Sequence, residues 1–248
     1  ETGDRFSQPD LAKTLERIKL AGKKGFYAGE TADLIVAEMK NGGGIISIAD
    51  LADYESKWRK PIMGDYRGYK LVSMPPPSSG GVLLVQMLNM LEPYDLGKLG
   101  VGSSEVIHLM IEAERRAYAD RAEHLGDSDF YDVPIETLIS KDYARERFLD
   151  FDPKKASVSA DIFAGVAAKE GLETTHASVI DAMGNAVAYT TTLNLSYGSK
   201  IVVRGAGFLL NNEMDDFSAK ENSPNAFGLL GREANAIEPG KRMLSSMT

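Results

Sequence analysis

The hydrophobic residues near the start of the chain recur with the period of an α-helix. The first such run has apolar residues spaced by four and three, which predicts one buried face, and Gly22 follows it as a helix stop. The apolar residues of this face are Leu11, Leu15 and Ile18. The same period predicts helices over 31–39, ended by the glycine-rich run 41–44, and over 48–54, with Ser47 as N-cap.

Beyond residue 59 the pattern is that of mixed strand and helix. Residues 66–74 are predicted to form a strand that ends at three consecutive prolines, which lack the amide hydrogen that a strand donates. Apolar-periodic runs predict helices over 81–91, 104–124 and 141–148. Residues 154–172 are rich in small and charged residues and have no strong period, which predicts a mobile connector with one helical turn at 162–168.

After Glu173 the pattern changes to strands and loops. Two β-rich runs, 177–180 and 186–192, flank a turn cluster with glycine and asparagine, and this arrangement predicts a β-hairpin. Shorter strands are predicted over 201–203 and 207–210, and a loop over 221–231. We therefore expect an α+β chain in two parts, with residues 1–173 mainly helical and residues 174–248 mainly β.

The overall composition excludes several classes of protein. The 248 residues are 43% hydrophobic and 26% charged, which is typical of a globular protein, and no run approaches the ~20 apolar residues of a membrane helix. The net charge of −8 disfavours binding to nucleic-acid phosphates. The sequence contains no cysteine, which excludes disulfides, thiolate metal sites and a cysteine nucleophile. His108, His124 and His176 lack metal-ligand spacing, and we expect all three to be structural.

Three polar segments are candidates for chemistry. Thr174-Thr175 directly precedes the first run of the predicted hairpin and 190–194 ends its partner, so the two ends can lie side by side. The polar run 211–218 follows a predicted strand and is costly to bury unless it binds something. From these residues alone, the threonines also fit ordinary strand positions. The acidic run also fits a cation loop, since oxygen ligands suit calcium.

Several separated motifs, in one order, resemble the γ-glutamyltransferase (γ-glutamyl transpeptidase) family, and together they are more specific than one short pattern. Those that resemble its small subunit are Thr174-Thr175-His176 through Val187, Thr192-Leu193-Asn194, residues 209–218 and Leu244-Ser245-Ser246-Met247. Those that resemble the later part of its large subunit are Gly25-Phe26-Tyr27, Tyr66-Arg67-Gly68-Tyr69 and residues 74–81. The resemblance covers nearly all of the chain.

The resemblance implies a fold and an activity. The family makes a precursor that cuts itself before a threonine, here at the Glu173–Thr174 bond, to give a large and a small subunit that form a heterodimer. Its fold is the four-layer αββα sandwich of N-terminal-nucleophile hydrolases. The implied reaction transfers the γ-glutamyl group of glutathione and related compounds to amino acids, peptides or water through an ester on Thr174. No cofactor is implied.

The resemblance also assigns roles to individual residues. Thr174 matches the nucleophile and Thr192 the threonine that helps to activate it. The residues that match those around the substrate α-amino group are Asn194, Glu213 and Asp216. Ser245 and Ser246 match the pair that binds the substrate α-carboxylate. Residues 221–232 match a lid loop, in which Phe227 stands where many members have tyrosine.

Two parts of the family's site fall outside the sequence, so we expect a segment of a longer chain that has little activity alone. These are an arginine that precedes Glu1 and a Gly-Gly oxyanion hole that follows Thr248. Family members in bacteria are periplasmic or secreted, and no signal peptide is visible here. The alternatives are a cephalosporin acylase, a capsule poly-γ-glutamate transpeptidase or an inactive amino-acid-binding relative. The zwitterion-binding set argues against glutaryl substrates, and the intact threonines argue against inactivity.

Overall fold

The computed structural model describes residues 2–159, 161–162, 174–218 and 232–248. The chain forms two compact units. Unit 1 comprises Glu1–Trp58 and Thr192–Asn212, and unit 2 comprises Arg59–Thr191 and Glu213–Thr248. Both contain helices and small sheets, which is consistent with the α+β class. The predicted division at residue 173 stays a prediction. It concerns where the chain is cut, whereas these units are defined by which residues pack together.

Helices make up most of the described chain before residue 159, and strands follow after residue 174. The helices are α1 (Pro9–Ala21), α2 (Lys24–Tyr27), α3 (Gly29–Gly42), α4 (Ile48–Asp53), α5 (Gly80–Leu91), α6 (Leu96–Leu99), α7 (Ser104–His124), α8 (Ile135–Leu138) and α9 (Lys141–Arg147). The strands are β1 (Ile62–Tyr66), β2 (Tyr69–Ser73), β3 (Thr174–Ile180), β4 (Ala186–Thr192), β5 (Val202–Val203) and β6 (Phe208–Leu209), paired β1–β2, β3–β4 and β5–β6. None of the described helices has both the length and the hydropathy to cross a bilayer.

In unit 1, α1 has the predicted position, and its inner face differs from the prediction at one residue. Leu11 and Ile18 are half-buried as expected. The helix ends as expected, with the Gly22 N–H donating to the Ile18 carbonyl at 2.8 Å. Leu15, however, is 57% exposed, and Thr14 is the buried residue of this helix. The Thr14 hydroxyl donates to the Ala206 carbonyl at 2.8 Å. The inner face of α1 therefore meets a backbone acceptor, which a hydroxyl satisfies and a leucine would leave without a donor.

The rest of unit 1 packs α3 against the small β5–β6 sheet. Ile35, Val203 and Ala206 form its buried cluster, with Phe26 and Phe208 packed against it. The two predicted strands are confirmed in shortened form. The helices predicted over 31–39 and 48–54 are confirmed as α3 and α4. Of these, α3 extends beyond the predicted range at both ends. A capping box on Ser47 begins α4, in which Ser47 and Asp50 each bond the other's backbone N–H.

In unit 2, the predicted strand over 66–74 is wrong at its start. Tyr66 closes β1 and pairs with Tyr69 of β2, so the two residues between them form a tight hairpin turn. Arg67 and Gly68 have φ of 51° and 84°, the left-handed values that a two-residue turn between twisted strands requires. The prediction missed β1 because its short run contains Gly64 and Asp65, which are rare in strands.

The interior of unit 2 lies between α5 and α7. Both helices are confirmed near their predicted bounds, and their contact is the most extensive between any two described helices. Apolar residues of α5, including Val82 and Val85, pack in the main cluster with Ala117 of α7. In contrast to an ordinary amphipathic helix, α7 also carries ionisable residues inward. Its buried ionisable residues are Glu112, Arg116, Asp120 and Arg121.

The predicted hairpin after residue 173 is confirmed as β3–β4. Its turn is held by Asp181, whose Oδ1 accepts the N–H groups of Met183 and Asn185, each at 2.9 Å. This local network explains why a short Asp-to-Asn segment reverses the chain here. The predicted helical turn at 162–168 and the predicted loop at 221–231 lie, except for residue 162, outside the described residues.

Candidate active site

Thr174 is the first residue of β3 and is exposed. Thr175 follows it in the same strand and is also exposed, while Glu173 lies outside the described residues. Two residues on, His176 bonds through Nδ1 to Thr190 Oγ1 at 2.8 Å and through Nε2 to Ser178 Oγ at 3.0 Å. Both ring nitrogens thus have partners within the hairpin, as expected for a structural histidine.

Thr192, the last residue of β4, and Asn194, two residues after it, lie together in unit 1. The Asn194 N–H donates to Thr192 Oγ1 at 2.9 Å, which fixes the position of that hydroxyl oxygen. Asn194 is buried with a φ of 75°, a value that asparagine tolerates better than most residues. Its side chain donates to the Asn212 carbonyl at 3.2 Å, and Asn212 Oδ1 accepts the Leu195 N–H at 3.1 Å. Asn212, to which sequence reasoning gave no separate role, therefore supports Asn194.

In unit 2, Glu213 and Asp216 begin and end one turn of 3₁₀-helix, Glu213–Asp216. Residues three apart eclipse each other in this kind of helix, so the two carboxylates share one side of the turn. Burial, and after it the negative charge of Asp216, raises the pKa of Glu213 to about 7. Two carboxylates held this close suit a cationic group, because an ammonium ion would relieve their mutual repulsion.

Ser245 and Ser246 are half-buried and lie beside the proline-rich segment 75–81 of the same unit. Ser245 pairs with Ser78 as in a parallel bridge: the Ser245 N–H donates to the Pro77 carbonyl at 2.9 Å, and the Ser79 N–H donates to the Ser245 carbonyl at 2.7 Å. A Cβ added to Gly80 would collide with Thr248 Oγ1 and the Met247 carbonyl. Glycine at this position therefore allows the two segments to approach closely.

Asn235 connects the 3₁₀ turn Glu213–Asp216, the acidic turn, to Ser245-Ser246, the serine pair. No sequence motif indicated this role of Asn235. Its Nδ2 donates to the Asp216 carbonyl at 2.7 Å, and its Oδ1 accepts the Leu244 N–H at 2.9 Å. Only 4% of Asn235 is exposed. Because both ends of this amide are used, Glu213–Asp216 and Ser245-Ser246 are held in one connected arrangement within unit 2.

The predicted site residues thus form two described groups. Unit 1 brings together Thr192 and Asn194, and unit 2 brings the acidic turn into connection with the serine pair. Unit 2 also contains Thr174, which lies on β3. On the partner strand β4, the Thr190 hydroxyl donates to the carbonyl of Thr248, near the serine pair, at 3.1 Å. Phe227 lies outside the described residues. In the described part of the chain, three or more His, Asp or Glu side chains nowhere cluster as a metal site would.

Comparison with known proteins identifies the family of the chain. The chain matches the Gamma-glutamyltranspeptidase family model over residues 1–248 and belongs to that family. It is 51% identical over 247 residues to the glutathione hydrolase proenzyme of Escherichia coli strain K12, with 99% of this chain and 43% of the relative covered. It is 41% identical over 247 residues to the acylase ACY 1 proenzyme of Pseudomonas sp. strain SE83, with 100% of this chain and 42% of the relative covered.

Solved structures give the same result. The crystal structure of Helicobacter pylori gamma-glutamyltranspeptidase is 53% identical, with a TM-score of 0.63 over 65% of this chain and 46% of that chain. The chain spans less than half the length of the curated relatives it matches. Curated relatives that it matches, among them three glutathione hydrolases and one acylase, are named as proenzymes.

Proposed function

We propose that the full-length protein transfers γ-glutamyl groups from glutathione and related compounds to amino acids, peptides or water. The observation that carries the proposal is the link that Asn235 makes between the acidic turn and the serine pair. It holds carboxylates suited to an α-ammonium and hydroxyls suited to an α-carboxylate in one arrangement. A substrate that carries both groups on one carbon, as a γ-glutamyl compound does, is the ligand that this combination fits.

The chemistry proceeds through Thr174. Its hydroxyl attacks the γ-carbonyl carbon of the donor, an ester forms on Thr174, and the leaving amine departs with a proton. Water or an acceptor amine then attacks the ester and releases the threonine hydroxyl. A threonine hydroxyl is a weak nucleophile and needs a base. A free α-amino group, with an unperturbed pKa of about 8, can take the proton directly or through a water.

This base exists only after the Glu173–Thr174 bond is cut, so maturation and catalysis are linked. In the precursor, the same hydroxyl attacks the preceding carbonyl and forms an ester that water opens. The result is a heterodimer of large and small subunits, with the four-layer αββα sandwich as its fold. We assign to Thr192 the role of an activating hydroxyl, to Asn194 recognition of the substrate α-amino group and to Phe227 a role in a lid. The proposed compartment is periplasmic or extracellular.

The 41% identity to an acylase favours one second candidate, hydrolysis of another acyl group such as glutaryl. The paired carboxylates Glu213 and Asp216 argue against a glutaryl group, because it lacks the α-ammonium that such a pair suits. A buried polar site rejects analogues that leave its groups unpaired, by ~10⁴-fold or more in the strongest cases.

We expect full-length protein to hydrolyse γ-glutamyl anilide at least ~10²-fold more efficiently than glutaryl anilide, which lacks only the α-amino group. The measurement is kcat/KM for both substrates with one enzyme preparation. Equal efficiencies, or a preference for the glutaryl compound, would assign the chain to the acylase activity instead. Binding of glutamate without turnover of either anilide would indicate an inactive relative.

The raised pKa of Glu213 predicts a pH dependence of substrate binding. Only the ionised carboxylate attracts the substrate ammonium, and Glu213 ionises as pH rises through about 7. Since a group is ~10% ionised one unit below its pKa, kcat/KM should gain a factor of about ten between pH 6 and pH 8 from this residue. In Glu213→Gln this step should vanish, while the rise due to the Thr174 amine remains. An identical profile in the variant would separate Glu213 from substrate binding.

The same pKa has a consequence for folding stability. Because the folded-state pKa lies above the unfolded value, proton binding at Glu213 favours the folded state. This contribution is complete below the unfolded pKa, about 4.3, and is lost as pH rises through about 7. Melting temperatures of wild type and Glu213→Gln should therefore diverge over that interval, with the variant losing less stability as pH rises.

A further inference from the structure

The serine pair is contacted by a buried cation that no motif indicated. Arg121 lies in α7 and is 4% exposed. Its Nη2 donates to Ser246 Oγ at 3.2 Å and lies 3.5 Å from the Leu244 carbonyl oxygen. Its Nε donates to Ser79 Oγ at 3.0 Å. A single guanidinium thus bonds to the serine pair and to the proline-rich segment 75–81 that pairs with it.

The hydrogen-bond directions follow from the chemistry of the groups. An arginine can only donate, so both Ser246 Oγ and Ser79 Oγ must accept from Arg121. The Ser79 hydroxyl then uses its own hydrogen toward the Ser245 carbonyl, which it reaches at 2.9 Å. The Met247 N–H donates to Ser245 Oγ at 3.1 Å. Each oxygen of the serine pair therefore already accepts one hydrogen bond from the protein.

This arrangement has a direct consequence for what the pair can bind. A hydroxyl whose oxygen accepts from a fixed donor directs its hydrogen toward another acceptor. With Ser245 and Ser246 both set in this way, the pair presents two O–H donors to a ligand. Two neighbouring O–H donors, one of them bonded to a buried guanidinium, suit a carboxylate. Hydrogen bonds that involve charged groups are about twice as strong as neutral ones.

We infer that Arg121, with Ser79, is the positioning residue that makes the Ser245-Ser246 pair a carboxylate receptor. Arg121 is too buried to be the primary contact, so it acts through the Ser246 hydroxyl and through the position of the Ser245 backbone. This inference rests on the proposed function. It adds a specificity determinant on α7, which precedes the proposed cleavage bond in the chain. Without Arg121 the Ser246 hydroxyl can rotate, and its oxygen can face the carboxylate.

The test compares two anilides in full-length wild type and Arg121→Met. γ-Glutamyl anilide carries the α-carboxylate, and 4-aminobutyryl anilide lacks only that group. We expect Arg121→Met to lower kcat/KM for the γ-glutamyl substrate by about 10- to 100-fold, mainly through KM, in line with the loss of hydrogen bonds to a charged group. The loss on the 4-aminobutyryl substrate should be less than about threefold, because the receptor is not used there.

Two further variants make the result decisive. Ser79→Ala removes only a hydroxyl and should show the same selective loss to a smaller degree, and it serves if Arg121→Met does not fold. Arg115→Met removes a neighbouring arginine of α7, whose contacts are to Glu112 and Ser159, and it should change neither substrate selectively. An equal loss on both substrates, or no loss, in a folded variant would overturn the inference. Absence of γ-glutamyl turnover in wild type would instead refute the proposed function.

Discussion

Replacement of Thr174 by alanine in the full-length precursor is expected to leave one uncut chain with no measurable γ-glutamyl transfer. The side chain removed is the nucleophile of both reactions, so neither the self-cleavage nor the turnover has a substitute for it. Loss of the nucleophile in a hydrolase costs on the order of 10⁶-fold in kcat. Here the loss is compounded, because an uncut chain also lacks the α-amino base. Gel electrophoresis and an anilide assay measure the two effects.

The control for this variant is Thr175→Ala. Thr175 is the next residue of β3 and is exposed like Thr174, so it tests whether any threonine in this strand is needed. We expect Thr175→Ala to be cut into two subunits and to keep activity within about threefold, the range of an exposed substitution without a special contact. Two subunits of normal size from Thr174→Ala would contradict the assignment of the nucleophile.

Replacement of Arg116 by alanine is expected to cause a large loss of folding stability. Arg116 is 1% exposed and Glu112 is fully buried, and their closest atoms, Arg116 Nη1 and Glu112 Oε2, are 2.6 Å apart. Arg116 also reaches Asp150 at 2.7 Å, and its guanidinium lies over the Phe148 ring. Removal of Arg116 leaves the buried Glu112 charge largely uncompensated, because only the Ser157 N–H at 3.0 Å and Arg115 at 3.5 Å remain beside it. Loss of one partner from a buried pair costs about 3–5 kcal/mol.

Burial alone would raise the pKa of Glu112, but hydrogen bonds from Ser157 and Arg116 outweigh it and hold the pKa below its ordinary value. The stability that this ionised carboxylate contributes is therefore present above the unfolded pKa and is lost as pH falls through the lower, folded value. In Arg116→Ala the protein should unfold at a lower urea concentration at neutral pH, and the difference from wild type should shrink in acid.

The matched control is Arg145→Ala, which breaks the exposed pair of Arg145 with Asp142. Exposed ion pairs contribute about 0–1 kcal/mol, so the urea midpoint should barely move. A double variant, Glu112→Leu with Arg116→Met, tests the reason given for the loss. If the uncompensated charge is the cause, this apolar pair should recover most of the stability. A midpoint for Arg116→Ala equal to that of wild type would show that the pair is not structurally important.

The periodic pattern predicted most of the longer elements but missed β1 and the four-residue helices α2, α6 and α8. Helix caps and turns could be predicted because they are local. Ser47, Gly22 and the turn at Asp181 act through bonds to residues a few positions away. The face that an element buries is not local. Ile107 and Met110 of α7 are 48% and 45% exposed, whereas Glu112 and Arg116 of the same helix are buried. Burial of these charges depends on Asp150 and Ser157, which a pattern along the helix does not contain.

The same limit applies to the candidate site. The threonines, the acidic turn and the serine pair could be predicted because each lies in a contiguous motif that resembles the family. Their supports could not, since Asn235 and Arg121 act across 19 and 125 positions to Asp216 and Ser246. The proline-rich segment is a motif in the sequence, but its role follows only from the backbone bonds that Pro77 and Ser79 make with Ser245.

The most direct test is the N-terminal sequence and mass of the small subunit isolated from active, full-length protein. The account predicts a single new terminus at Thr174, with a free α-amino group, in every active molecule. An active preparation in which residue 174 is still linked to Glu173 would contradict it, because the proposed base would not exist while turnover continued.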